Sequence, residues 1–467
     1  MSDTSVPGTN GVKKIVIRVL SSDQKGSLET TEVFVESGNS NASEHASESV
    51  TTLETNGADK FSDEDVSIAL KAANVNAVPG LIDEIKALNK TFDRDDQEAR
   101  LKLMAKAKSL WQSLETPRET MLRHCWAEPS LHCALTAGTS KDLWTYLVKL
   151  DGPFKVADVA KAKNMEPALL ARLLRHISSM GYLTEVGFDT YELENFTKSM
   201  AFTFINSGYP CISGACINAL GKFHEWADLN SWKDPTDIAN SPLQLGYKTQ
   251  KTFFEHLHAS PHYGQMFHLH MGGYRQGRPS WMDADFFPVR EKLLDGFEQS
   301  DDAALLLDIG GSFGHDIGEF NRKFPNAPGR LILQDLPVVI DQITRLDAKN
   351  ERTPLINYSN CLTGARAYYM HSVLHDWSDE TCLKILTTVM GAMKPGYSKL
   401  LINENVIPST GAQWEATALD VMMLTLLASR ERTEENWQSL LGKAGLKITK
   451  IWTVANGVES LIESELA

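Results

Sequence analysis

From Ala303 to the C-terminus, apolar runs of strand length alternate with stretches of helical spacing: ALLLDI, RLILQD, ARAYYMHSVL, KLLINENVI, KITKIWTV and a last run near GVESLIES. Alternation of this kind leaves few folds open, because parallel neighbours in a sheet must be joined by a crossover long enough to hold a helix. The expected fold class is α/β, a mainly parallel sheet with helices on both faces, two of them near Val338 to Asp347 and Asp379 to Met393. Ligands of such sheets bind outside the carboxyl ends of the strands. The residues that carry chemistry are sought there.

The first of these ends is LLLDIGGSFGHD, Leu305 to Asp316. Three leucines read as a strand buried on both faces and Asp308 closes it. Gly310, Gly311 and Gly314 then make a glycine-rich turn into a helix. Glycines let a ligand approach the backbone, and the new helix points free N–H groups and its positive dipole end at it. Asp335 ends the second strand about 20 residues further on, where a carboxylate accepts hydrogen bonds from ribose hydroxyls. Its plainer use is to cap the next helix. The adenosine so implied belongs to a dinucleotide or to S-adenosylmethionine.

The next recognisable strand ends in HSVLHDWSDETCLKIL. His375 follows the apolar run and precedes a helix capped near Ser378 or Asp379, which places its ring at the rim of the sheet. A histidine with a pKa near 6.5 is mostly neutral at pH 7 and takes a proton from a phenol-like hydroxyl of pKa about 10. Glu404, in LLINENVIP, and Glu431, in SRERT, stand at comparable rims and would orient or charge-stabilise it; otherwise they are solvated rim residues. His371, inside the strand, reads as structural.

Upstream, residues 1 to about 64 are too polar to order themselves by burial and read as a disordered tail, although Lys13 to Leu20 and Thr31 to Ser37 have the content of a small hairpin. From about Asp65 to Gly138 the spacing is helical. Two helices, about Val156 to Lys163 and Pro167 to Met180, and a hairpin, about Leu183 to Leu193, follow in the order of a winged helix. Only Arg172, Arg175 and His176 are placed to touch DNA there. A formal net charge of -14 gives no pull toward nucleic acid or an anionic membrane, so a structural or dimerisation module is expected. In residues 200 to 300, Met266, His270, Met271 and Trp281 would line a pocket for a flat apolar ligand, or else form a helical core. The histidines at 256, 258, 262, 268 and 270 have no carboxylate or Cys in a ligand spacing, and no metal is expected. The six cysteines form no Cys-x-x-Cys and read as reduced thiols. No apolar run reaches the roughly 18 residues of a membrane span and no signal peptide is evident, so a cytoplasmic location is expected.

As an ordered set, DIGGSFGHD, LILQDLP, HSVLHDWSDE, LLINENVIP and RERTEENWQSLLGKAGL resemble the S-adenosylmethionine-dependent O-methyltransferases of plant and fungal natural-product pathways, the fungal branch most closely. TPRE at Thr116, LLARLLRHISSMGYL and YRQGRPSW extend the resemblance from roughly Leu81 to the C-terminus. Beyond the polar tail at 1–64, it implies a helical and winged-helix dimerisation domain at 65–200, and a Rossmann-like methyltransferase domain at 201–467 with a helical substrate-pocket segment at 201–300. It further implies a homodimer, S-adenosyl-L-methionine as cofactor, and methylation of a hydroxyl on an aromatic or polyketide-like small molecule. Residue by residue, it implies Asp308, Gly310, Gly311 and Gly314 at the cofactor loop, Asp335 on the ribose, His375 as base, and Glu404 and Glu431 as its supports.

Two rivals remain. A family member that changed jobs, for instance a pericyclase using the same pocket, is suggested by the stretch from Glu351 to Asp376. It holds no carboxylate between those two, where the family usually places an Asp followed by aromatics. A hydrolase is suggested by Gly310-Gly311-Ser312-Phe313-Gly314, which fits G-x-S-x-G with Asp335 and His375 downstream, but such an elbow needs several strands upstream of it.

Overall fold

The computed structural model describes residues 14–22, 28–36 and 67–467, except 275–276, 299, 301, 342, 344–349, 355–360 and 456. Most of the expected tail and the loop starting at Leu355 lie outside the described residues. The chain forms two compact units, Met1–Arg123 and His124–Ala467. In the first, strands β1 (Lys14–Ser22) and β2 (Leu28–Glu36) pair antiparallel, Lys14 opposite Glu36, so the hairpin does form within the stretch read as a tail. Helices α1 (Val78–Lys90) and α2 (Gln97–Leu114) pack on each other. The α2 start is fixed by Asp96, whose carboxylate accepts the N–H groups of Glu98 and Ala99 at 2.9 and 3.1 Å. The pair leaves Leu101, Met104, Trp111 and Leu114 exposed.

The second unit opens with helices and a small sheet. The short strand β3 (Phe154–Lys155) leads into α3 (Val156–Lys163) and α4 (Pro167–Ser179), followed by the hairpin β4 (Leu183–Gly187) and β5 (Thr190–Leu193). Sheet order is β3-β5-β4. Leu170, Leu174 and Ile177, three and four residues apart, put one face of α4 into a core with Trp144, Leu183 and Tyr191. Of the three side chains offered to DNA, Arg175 is paired with Asp189 at 3.2 Å and His176 donates to the Ala127 carbonyl at 3.0 Å.

The main sheet has seven strands: β6 (Ala304–Ile309), β7 (Arg330–Asp335), β8 (Asn350–Pro354), β9 (Ala367–His371), β10 (Lys399–Glu404), β11 (Leu446–Trp452) and β12 (Ser460–Leu466), in the order β11-β12-β10-β9-β6-β7-β8. β10, β9, β6, β7 and β8 run parallel, and β12 is antiparallel to both its neighbours. Residues alternate between two cores: Leu307, Ile309, Tyr368 and Met370 on one face, Leu306, Leu333, Tyr369 and Leu401 on the other. β8, NERTP, has no place in the sequence reading. It is an edge strand, where one exposed side makes a polar run and a terminal Pro acceptable, so it shows no apolar signal. Since β6 is the first strand of this sheet among the described residues, the hydrolase elbow lacks the several sheet strands it would need upstream.

The chain runs outward from β6 to β7 and β8, then returns to β9 on the other side of β6 and continues to β10. The order therefore reverses between β6 and β9. Such a switch point splays the two following loops apart and opens a crevice at the strand ends.

Candidate active site

Around that crevice stand the turn after β6, the end of β7, the turn after β9 and the end of β10. In the first, Gly310 and Gly314 have φ of 74° and 78°, and Ser312 has 51°. Gly310 donates its N–H to the Gln334 carbonyl at 2.7 Å, which ties the turn to the neighbouring strand. A Cβ on Gly311 would lie 2.4 Å from Asp308 Oδ2 and 2.5 Å from Leu333 Cδ1. Asp308 itself is fully buried beneath the turn. Helix α5 (His315–Lys323) begins directly after Gly314. Asp335 closes β7 and accepts from Ser312 N at 2.7 Å and Leu336 N at 2.6 Å. Burial raises its pKa, against those two hydrogen bonds.

The turn after β9 carries the base. Ser372 takes a left-handed φ of 50°, a conformation that costs a non-glycine residue of order 1 kcal/mol or more. Its N–H is held by the Asn403 carbonyl at 3.1 Å. The short helical turn Leu374–Asp376 follows, and helix α6 (Asp379–Ala392) starts after Ser378, as the spacing predicts. His375, 7% exposed, donates from Nδ1 to Glu431 Oε1 at 2.7 Å. Glu404 Oε2 is 3.7 Å from the same nitrogen, and Asp376 Oδ1 is 3.4 Å from Nε2. Glu404 acts chiefly on the backbone: its Oε1 accepts the N–H groups of Val373, Leu374 and His375 at 3.0, 2.9 and 3.3 Å.

What joins the two glutamates is a two-residue parallel pairing of Val406–Ile407 with Arg432–Thr433, which staples two loops together rather than extending the main sheet. Glu404 lies two residues before one partner and Glu431 one residue before the other. Between them runs helix α7 (Trp414–Leu427). Each glutamate also keeps one buried oxygen with no hydrogen-bond partner among the described residues. Burial alone would lower the His375 pKa; the charges of Glu404, Glu431 and Asp376, with the Glu431 hydrogen bond, outweigh it and hold the pKa well above the usual 6.5. Burial pushes the Asp376 carboxyl up to about 7. His375, Glu404 and Glu431 also form a group with the donors for a metal ion. The 2.7 Å Nδ1–Oε1 contact is, however, the spacing of a shared proton.

Three of the expected pocket residues share one helix. Met266, His270 and Met271 lie on helix α8 (Pro261–Tyr274), and Met271 is exposed. The His270 ring packs against Gly208. Trp281 takes the core alternative: it is 1% exposed and its ring sits 5.1 Å from Tyr369, 5.8 Å from Phe287 and 6.1 Å from Phe320. Two groups on α8 that the reading passed over do meet the glycine turn. His268 packs edge-on to Phe313 at 4.9 Å, and Gly272 faces His315. Their four-residue spacing put them on one helix face and was the available signal. His371 is bound at both nitrogens, to Asp316 at 2.6 Å and Glu459 at 3.3 Å, in keeping with a structural role.

A parallel sheet reversing at its first strand, one reversed strand near the far edge and a helical region ahead of it define a class, the Rossmann-like methyltransferases. The O-methyltransferase domain family matches residues 282–447. The O-methyltransferase mpaG of Penicillium brevicompactum is 34% identical over 399 residues, 83% of this chain and 98% of that protein. The O-methyltransferase asqD of Emericella nidulans is 34% identical over 337 residues, 71% of this chain and 86% of that protein. Among solved structures, OxaC in complex with sinefungin and meleagrin superposes with a TM-score of 0.75 at 25% identity, covering 84% of this chain and all of that one. LepI in complex with S-adenosylmethionine gives 0.75 at 26%, covering 84% and 99%. The chain belongs to the S-adenosylmethionine-dependent O-methyltransferase family, and its relatives are enzymes of fungal secondary metabolism. S-adenosylmethionine is its cofactor. No helix among the described residues is long and apolar enough to cross a membrane.

Proposed function

We propose that this chain methylates a hydroxyl of an aromatic or polyketide-like secondary metabolite, with His375 as general base. The observation that carries the reading is the buried imidazole held through Nδ1 by Glu431, which leaves Nε2, 3.4 Å from Asp376 Oδ1, as the proton-accepting nitrogen. The cofactor fits the residues present: the turn at Gly310, Gly311 and Gly314 has no room for a side chain at Gly311, and Asp335 supplies acceptors at the end of β7 for a ribose. Asp308 supports that turn from below. When bound, the cofactor supplies a methyl group on a sulfonium leaving group. The protein then needs to align the hydroxyl, exclude water and receive one proton at His375 Nε2. Met266, His270 and Met271 contribute to the substrate wall. Residues 65–200 form a winged-helix dimerisation domain, supported by the exposed apolar residues of α2, and 201–467 the catalytic domain. The working form is a homodimer acting on a small molecule without nucleic acid, metal or membrane, in the cytoplasm; a monomer by sedimentation at working concentration would refute the dimer.

Incubating the purified protein with the cofactor and hydroxylated aromatic polyketides tests the activity: gain of one methyl group by mass spectrometry supports it. A second reading, a pericyclase, is favoured by a solved structure described as a pericyclic reaction enzyme, which superposes with a TM-score of 0.75 at 25% identity. Turnover of a substrate that gains no methyl would establish that reading instead.

The base must be neutral to accept a proton, and its pKa is raised. kcat/KM is therefore expected to rise with pH along an acid limb above 6.5. Glu431→Gln removes one of the charges that raise it, so the limb moves down toward 6.5, and kcat falls by roughly tenfold to a hundredfold as the ring loses its charged orienter. A limb unmoved in that variant argues against His375 as the titrating group.

A further inference from the structure

The turn from Ser372 to Trp377 belongs to no helix or strand long enough to hold it. The N–H groups of Val373, Leu374 and His375 go to Glu404, as described. The carbonyls of Leu374 and Trp377 go to Arg432, a 1% exposed guanidinium: Nη1 donates to Leu374 O at 2.8 Å and Nη2 to Trp377 O at 2.9 Å. Nε and Nη2 also donate to Asp379 Oδ1 at 3.0 and 2.8 Å, and Nη2 reaches Cys382 Sγ at 3.4 Å. The guanidinium lies 5.3 Å from the Trp437 ring centroid. A charge this deeply buried is costly unless its donors are all satisfied, and the planar fork satisfies several acceptors at once as an ammonium does not.

Contacts to the turn step in opposite directions along the two segments: Glu431 bonds to His375, and the next residue, Arg432, bonds to the preceding one, Leu374. Grip and catalytic contact are thus one residue apart on both sides. We propose that Arg432 is a positioning residue of the reaction, setting the register in which Glu431 meets the His375 ring. This rests on the reading of His375 as base. Glu404 and Arg432 hold the turn from its donor and its acceptor sides respectively, so the ring is placed by the backbone before any side chain orients it.

The test compares wild type with Arg432→Lys, which keeps the charge and loses the fork. The readouts are steady-state methyl transfer, calorimetric binding of S-adenosylhomocysteine, and the titration of His375 by ¹⁵N NMR in ¹⁵N-histidine-labelled protein, assigned with His375→Gln. Expected are a fall in kcat of about tenfold to a hundredfold, cofactor-product affinity within about threefold, and a His375 pKa lowered as the Glu431 contact loosens. An unchanged kcat and titration overturn the proposal, whatever the melting temperature does, because a merely structural arginine would move the melting temperature alone. Parallel loss of cofactor-product affinity also overturns it. If Arg432→Lys does not fold, Asp379→Ala decides: it removes the oxygen to which Arg432 Nε and Nη2 both donate, its side chain is 56% exposed, and wild-type kcat and titration in that variant overturn the proposal. The NMR readout needs no substrate. A shifted titration in a protein that never transfers methyl leaves the positioning role standing and removes the methyl-transfer reading.

Discussion

Replacing His375 by alanine is expected to lower kcat for methyl transfer by about a thousandfold while leaving affinity for S-adenosylhomocysteine within about twofold. The loss is large because the ring is the acceptor for the substrate proton, and its replacement leaves Glu404 and Glu431 as two buried carboxylates without the cation that stabilises them. Affinity is spared because the ring lies on the β9 side of the crevice, whereas the glycine turn and Asp335 lie at the ends of β6 and β7. Product formation by mass spectrometry and calorimetric titration separate the two. Retention of more than about a tenth of wild-type kcat would mean that the proton leaves by another route.

Gly311→Ala is expected to act on the other half of the reaction, removing measurable S-adenosylhomocysteine binding and costing about 1–3 kcal/mol of stability. The new methyl has nowhere to go. It would stand 2.4 Å from an oxygen of buried Asp308 and 2.5 Å from Leu333, both fixed in or beside the central strands. Relief requires the turn to lift into the space that the cofactor needs. Thermal unfolding and calorimetry read the two effects, and wild-type affinity in a folded Gly311→Ala would show that the turn is not the cofactor wall.

Much of this was legible in the sequence for physical reasons that can be named. Strands buried on both faces leave continuous apolar runs, so LLLDI, LILQD and AYYM were visible, whereas the polar edge strand at Asn350–Pro354 was not. The strand-end positions of Asp335, His375 and Glu404 follow from counting along those runs. That Glu431 bonds to His375 while Glu404 holds the backbone depends on a pairing between loops far apart in sequence, which no local pattern encodes. Arg432 was hidden for the same reason: adjacent to Glu431 in a charged stretch, it reads as a solvated surface residue and is buried by tertiary contact alone. Trp281, which packs in the core, was left open between pocket and core, since an aromatic residue near a binding segment and one in the core carry the same sequence signal.

The pairing of Val406–Ile407 with Arg432–Thr433 has a consequence for how such enzymes diversify. It closes the chain between the two glutamates into a loop whose ends are pinned, and α7 inside that loop is tied back to the site by Asp420, whose Oδ1 accepts the Glu431 N–H at 2.8 Å. Sequence drift that spares the proton acceptor is thereby confined to exposed positions of α7 such as Trp414 and Val421, and excludes Asp420 and the buried Met423, Thr425, Leu426 and Leu427.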